Sequence, residues 1–236
     1  MRIITIDNDM FREYKKNDLL LRVLRQTADA EDERFTSHKW LLDSLPKRLI
    51  FHLLYGDLLV PSTKRRWLLD VGGGYTSLTK CLLAHHDYTL LDIMAHDPTE
   101  AIHAREAATN TSFWINQDWY TFELGAQRYD IVLANDLFPN VDQRLEMFLQ
   151  RYLPVCAEIR LSLTYYNTPR FYMTKRIDAD EVLCMLAWNG EQVALVLRKF
   201  ADRIDGYGES EIVQNTQSVF PNRRQVTLVT IRGNQA

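Results

Sequence analysis

One stretch restricts the fold of this chain more than any other: Trp67-Leu68-Leu69-Asp70-Val71-Gly72-Gly73-Gly74-Tyr75-Thr76-Ser77. A short apolar run carrying one acid is followed at once by three glycines. Leu78 to Ala84 then has the spacing of the first turns of a helix. Strand, tight turn and helix start are the only elements this order suits. Glycines allow backbone angles closed to other residues, and without a Cβ they let a ligand lie against the main chain. The helix N-terminus adds unpaired N–H groups and a positive dipole end. In an open α/β sheet such a corner is a nucleotide or nucleoside site.

Asp70 narrows the choice of ligand. Gly72-x-Gly74 begins the dinucleotide fingerprint, but Ser77 stands where its third glycine belongs. A dinucleotide turn receives a pyrophosphate, which a neighbouring acid repels. A ligand with a cationic amine is attracted instead. Asp-x-Gly-x-Gly after an apolar strand resembles motif I of the class I S-adenosylmethionine (SAM) methyltransferases, with Thr76 at the family's usual third glycine. The resemblance implies that Gly72, Gly73 and Gly74 hold the methionine part of SAM, and that Asp70 faces its amino group.

The rest of residues 65–164 extends the pattern. Tyr88 to Leu91 reads as a second strand ending in Asp92, about 20 residues past the turn, where a ribose-binding carboxylate belongs. Ile93 would pack on the adenine. Pro98 to Ala108 is helical, and Phe113 to Ile115 is a brief third strand. In the resembled family Asp118 takes the adenine amino group and Trp119 packs on the ring. Tyr129 to Asn135 is a fourth strand, and Asn135-Asp136-Leu137-Phe138 resembles motif IV, beside the reactive methyl. Asp142 to Leu153 is helical, and Val155 to Thr164 is a fifth strand. Strand–helix units in this order predict a parallel sheet with helices on both faces.

The flanks are less regular. Residues 1–64 read mostly as helix and form an N-terminal cap. Residues 165–208 read as an acceptor-side insert: an aromatic loop, then helices over Asp180 to Trp188 and Glu191 to Ile204. Residues 209–236 read as a terminal hairpin of Ile212–Val219 and Gln225–Ile231. The expected fold is therefore a single α/β domain: an open, mostly parallel seven-stranded sheet, with a terminal antiparallel hairpin and a helical N-terminal segment.

Composition removes other classes. Among 236 residues 46% are hydrophobic, enough for a sizeable core. The net charge of −3 leaves no nucleic-acid footprint on the whole chain. Apolar runs are too short to span a bilayer, and the acidic N-terminal residues do not read as a signal peptide. Cys81, Cys156 and Cys184 lack a CxxC spacing and read as reduced thiols of a cytoplasmic protein. No carboxylate pairing suggests a metal site.

The chemistry expected is SAM-dependent methylation, O-directed, on a small molecule or a glycan. Similarity to methyltransferases of bacterial surface polysaccharide pathways over Trp188–Gln192 and Ser218–Arg223 points to sugars. A hydroxyl acceptor needs its proton removed. Asp136 and His96 are the candidate bases, His38 and His52 lie on the N-terminal helices, and His85 and His86 lie on the opposite sheet edge. Tyr165, Tyr166 and Arg170 are candidate acceptor contacts. Two alternatives stay open: an NAD(P)-dependent reductase, disfavoured by Asp70 and the absence of a Tyr-x-x-x-Lys pair, and a non-catalytic domain of the same fold.

Overall fold

The computed structural model describes residues 3–94, 96–175 and 182–234. Its main sheet has seven strands: β1 (Ile3–Thr5), β2 (Trp67–Val71), β3 (Asp87–Leu91), β4 (Trp114–Ile115), β5 (Tyr129–Phe138), β6 (Cys156–Tyr165) and a last strand, Gln225–Arg232, called β9 below. The spatial order is β1-β9-β6-β5-β2-β3-β4. Strands β2 to β6 run parallel to one another, and β9 runs antiparallel to both β6 and β1. The order turns around between β2 and β5, so the glycine turn after β2 sits at the topological switch point, where open α/β sheets bind ligands.

Strand alternation divides the core. Leu68, Leu90, Ile131 and Leu133 face one layer, with α2 (Leu19–Thr27), α3 (Thr36–Asp43), α4 (Leu45–Tyr55), α5 (Leu78–His85) and α6 (Thr99–Thr109). Leu69, Val71, Val132, Ala134 and Leu161 face the other, with α7 (Leu145–Tyr152) and α8 (Gly190–Leu197). A buried leucine contributes about 1.5–3 kcal/mol, so these two layers supply the main drive to fold. Local signals set the helix ends. Asp7 caps α1 (Asn8–Lys16), Asp18 caps α2, and Ser44 caps α4 with Pro46 in its first turn. Asn189 and Gln192 form a reciprocal capping box on α8.

Two sequence expectations are corrected. The antiparallel partner of β9 is not Ile212–Val219. Ile212 lies in the short helix α9 (Ser210–Val213), and the N-terminal Ile3–Thr5 takes the edge position instead. Consecutive β-branched residues at Ile3-Ile4-Thr5 suit a pleated edge, whereas Gln214 to Ser218 have no apolar side chain to offer it. The helix expected over Asp180 to Trp188 is a strand from Val182 onward: β7 (Arg170–Lys175) pairs antiparallel with β8 (Val182–Ala187) in a separate two-stranded sheet. Asp180 and Glu181 lie outside the described residues. A short apolar run reads equally as helix or strand until its pairing partner is known.

Candidate active site

The glycine turn is shaped by positive φ at Gly72 (+68°) and Gly74 (+65°), the left-handed region that favours glycine. The Gly72 N–H donates to the Leu91 carbonyl at 3.0 Å, which joins the turn to β3. The Gly74 N–H donates to Asp92 Oδ2 at 2.9 Å, and Met94 N–H donates to Asp92 Oδ1 at 2.8 Å. Asp92 is therefore fixed on the turn at the end of β3. Burial raises its pKa, against the effect of the two backbone bonds. Each carboxylate oxygen can accept a second donor. Ile93 beside it is 47% exposed, an apolar surface at the mouth of the crevice.

Asp70 does not open onto that crevice. It is 3% exposed, and its two oxygens accept from Tyr55 Oη and Tyr88 Oη, each at 2.9 Å. Alternation along β2 points it into the same layer as Leu68, behind Gly73. A Cβ on Gly73 would lie 2.5 Å from both Asp70 oxygens. It supports the turn from behind, beneath Gly73. Desolvation pushes the Asp70 pKa up to about 7, although both tyrosine bonds oppose the rise. The folded state therefore holds this proton more tightly than the unfolded chain. The stabilisation is complete below the unfolded value near pH 4 and is lost as pH rises through about 7. Asp70→Asn is expected to remove this slope and to be the more stable form in alkaline buffer, by a few kcal/mol. Urea unfolding at about pH 5 and about pH 8 checks it. A parent protein equally stable at both, relative to the variant, would contradict the assignment.

The N-terminal cap rests on the turn. Ser37 Oγ occupies the space that a Cβ on Gly74 would need. Thr36 N–H donates to Asp97 Oδ1 at 2.6 Å, and Thr36 Oγ1 donates to the His96 carbonyl at 3.0 Å. His38 reaches the turn as a structural group: its Nδ1 accepts from Ser77 N–H at 3.2 Å, and burial lowers its pKa, so the ring is neutral. His52 packs against Tyr14 instead, and His86 Nε2 pairs with the Leu58 carbonyl at 3.0 Å.

A buried ion cluster ties the cap down. Asp32 is fully buried, and it pairs with Lys80 Nζ and Arg105 Nη2, each at 2.7 Å. Asp29 pairs with the same two cations, and Tyr75 Oη donates to Asp32 at 3.3 Å. Arg105 above all, then Lys80, holds the Asp29 carboxyl well below the usual carboxylate range. Lys80 is on α5 and Arg105 on α6, so residues 29–32 are clamped to the two helices that flank β3.

The other candidates divide. Trp119 is 4% exposed and belongs to the core, edge-on to Phe138 and Phe148, with Arg144 over its ring. Its Nε1 donates to Asp142 at 2.8 Å. Tyr165 is 1% exposed, and its hydroxyl bonds to Thr227 and Asn215. Strand parity at Tyr165 and the α7 aromatic cluster around Trp119 turn both side chains inward. Asp118 stays near the surface, accepting from Tyr120 N–H and Arg144. Asn135 accepts from Ser162 Oγ at 2.7 Å. Tyr166 is covered by the Arg170 guanidinium at 3.9 Å.

Asp136 has φ +58° and a crowded carboxylate. It accepts from Thr164 Oγ1 at 3.1 Å, Asn140 Nδ2 at 3.2 Å and Arg224 Nη1 at 3.2 Å to each oxygen. Oδ1 takes three of these donors, while Oδ2 accepts from Arg224 alone. His96 is exposed, edge-on to Trp40 at 5.3 Å. Lys47, Arg224, Trp40 and Ser37 were missed from sequence. They come from helices and loops whose spacing carries no motif, and only the packing of the cap and the loop before β9 brings them to the strand ends.

A SAM molecule would meet matching chemistry at the adenosine half: a fixed carboxylate on a glycine turn and an exposed apolar side chain next to it. Comparisons with known proteins agree at the level of fold. No family model matches the sequence, and no curated protein does. The PH0226 protein from Pyrococcus horikoshii OT3 is similar at TM-score 0.51 and 13% identity, over 81% of this chain and 93% of that one. The N-terminal domain of EvdMO1, solved with S-adenosylhomocysteine (SAH) bound, is similar at TM-score 0.50 and 15% identity, over 80% of each chain. What is shared at these identities is the backbone arrangement, a mostly parallel α/β sheet with helices. Among the described residues, no helix is long and apolar enough to cross a membrane.

Proposed function

We propose that this chain is a SAM-dependent methyltransferase acting on a small molecule, with a hydroxyl, on a sugar or glycan among others, as the acceptor. The observation that carries the reading is Asp92, held by two backbone N–H groups on a glycine turn at the switch point of the sheet. In this reading Asp92 accepts from the ribose hydroxyls, Ile93 packs on the adenine, and Asp118 takes its amino group. Gly72, Gly73 and Gly74 lie along the methionine part, near Asn135. Asp70 supports Gly73 from behind the turn. When bound, SAM supplies a methyl group on a sulfonium, already activated for in-line displacement.

The work left to the protein is alignment of the acceptor and exclusion of water. The cap, through Ser37 and Trp40, closes the crevice. Asp136, held by Arg224, is the preferred group to take a hydroxyl proton, with His96 the second candidate. The free thiols Cys81, Cys156 and Cys184 suit a reducing, cytoplasmic setting.

Calorimetric titration with SAH and, separately, with NADH tests the reading. SAH is expected to bind and NADH not. Asp92→Ala removes a charged acceptor of two hydroxyls and should weaken SAH roughly 100-fold. Asp92→Asn, which keeps one acceptor oxygen for the turn, should fall between the two. Binding of NADH alone would sink the proposal.

A further inference from the structure

Next to the glycine turn, two cations from distant parts of the chain converge on one acid. Lys47 is in the first turn of α4, and Arg224 is the residue before β9. Arg224 Nη1 lies 3.2 Å from both oxygens of Asp136, and Lys47 Nζ lies 3.8 Å from Oδ2. Asp136 also accepts from Thr164 and Asn140, both at Oδ1, while Lys47 is held loosely, beyond hydrogen-bond distance of Oδ2. The local balance of the three side chains is one positive charge in excess. Arg224 Nε is buried and has no partner among the described residues.

The walls of this cluster are aromatic. Lys47 lies over the Trp40 ring at 4.8 Å, and the Arg224 guanidinium over Phe220 at 3.9 Å. Tyr172 Oη donates to the Asn140 carbonyl at 2.9 Å, which places a ring beside the same acid. Trp40 is 43% exposed, so the cluster reaches the surface of the crevice. The cluster also adjoins the turn: the side chain of Leu137, next to Asp136, lies 3.3 Å from where a Cβ on Gly72 would be.

Drawing two cations out of water around a single carboxylate is costly. A second anion repays that cost, and a guanidinium fork with an ammonium is a donor set matched to a carboxylate or phosphate. We propose that Lys47 and Arg224 form an anion-binding subsite for the methyl acceptor, so that the acceptor is an acidic small molecule with a ring beside its carboxylate or phosphate. The word acceptor rests on the function proposed above; the anion site itself does not.

The test uses the full chain with saturating SAH, titrated with benzoate, phenyl phosphate and, as neutral control, benzyl alcohol. At millimolar concentration one or both anions bind and the alcohol does not; which anion is tighter tells carboxylate from phosphate. Lys47→Met weakens the anions roughly tenfold and leaves SAH affinity unchanged. Arg224→Lys keeps the charge, loses the fork, and weakens them as well. Thermal unfolding of each variant establishes that it is folded. The Lys47 variant serves if the more buried Arg224 position does not tolerate change. The subsite is overturned if neither anion binds the parent, if the alcohol binds as well as the anions, or if Lys47→Met binds them unchanged. Should SAH itself fail to bind, the same titrations run without it. Anion binding that still depends on Lys47 would then keep the subsite while the methyltransferase reading falls.

Discussion

Asp32→Ala is expected to lower the unfolding free energy by about 3–5 kcal/mol, the range for breaking a buried ion pair by removing one partner. Asp32 is fully buried and is the acid that Lys80, Arg105 and Tyr75 all contact. Its removal leaves two cations with only Asp29, which lies nearer the surface. Urea unfolding measures the loss. Hydrogen exchange locates it: protection should fall across α2 and α3, which the cluster holds, and much less in α7 on the other layer. Because the residues act as a unit, Asp32→Ala combined with Arg105→Ala should cost clearly less than the two single changes added together. Additive losses would show that the cluster is a set of independent surface pairs.

Gly74→Ala is expected to cost about 2–5 kcal/mol, from two separable sources. A left-handed φ of +65° costs a residue with a Cβ roughly 1–2 kcal/mol. The new methyl also meets Ser37, and overpacking of this kind costs typically 1–3 kcal/mol. Ser37→Gly should return the second part and leave the first, so the double variant should sit between parent and Gly74→Ala. If Ser37→Gly rescues nothing, the cap is not seated on the turn in solution. The same comparison, read by SAH titration, asks whether α3 helps to hold the ligand: loosening α3 without altering Asp92 should weaken SAH less than Asp92→Ala does.

These two residues show how unevenly the site could be read in advance. Gly74 and Asp92 were legible because their roles are set by local backbone geometry. A turn needing positive φ demands glycine within a few residues of the strand, and the acid follows one strand–helix–strand unit later. Asp70 was legible as a residue but not in its orientation. Its parity on β2 sends it toward Tyr55 and Tyr88, and Tyr55 is on a helix that precedes the sheet core. The burial of Trp119 and Tyr165 was hidden for the same reason: a polar-tipped aromatic near a strand end serves equally as core, and only the packing of α7 or the hydroxyl of Thr227 turns it inward.

The sheet core repeats the lesson. Alternating and continuous apolar runs at β2, β3, β5 and β6 determined a parallel sheet, since those residues cannot be buried otherwise. The edges were decided elsewhere. Ile3–Thr5 and Ile212–Val219 compete for one position beside β9, and the winner depends on contacts more than 200 residues apart along the chain. Val182–Ala187 became a strand because β7 offers a ladder.

By itself the sequence determined the glycine turn, the acid after β3, the order of the core strands and so the crevice at their carboxyl ends. Each rests on a backbone requirement or a short-range period. Tertiary structure alone decided which way Asp70 faces, that the cap is pinned by Asp29 and Asp32, and that Lys47 and Arg224 share Asp136. Charges find partners through space, and the approach of Arg224 to 3.2 Å and of Lys47 to 3.8 Å from Asp136 exists only once the sheet has closed the chain around them.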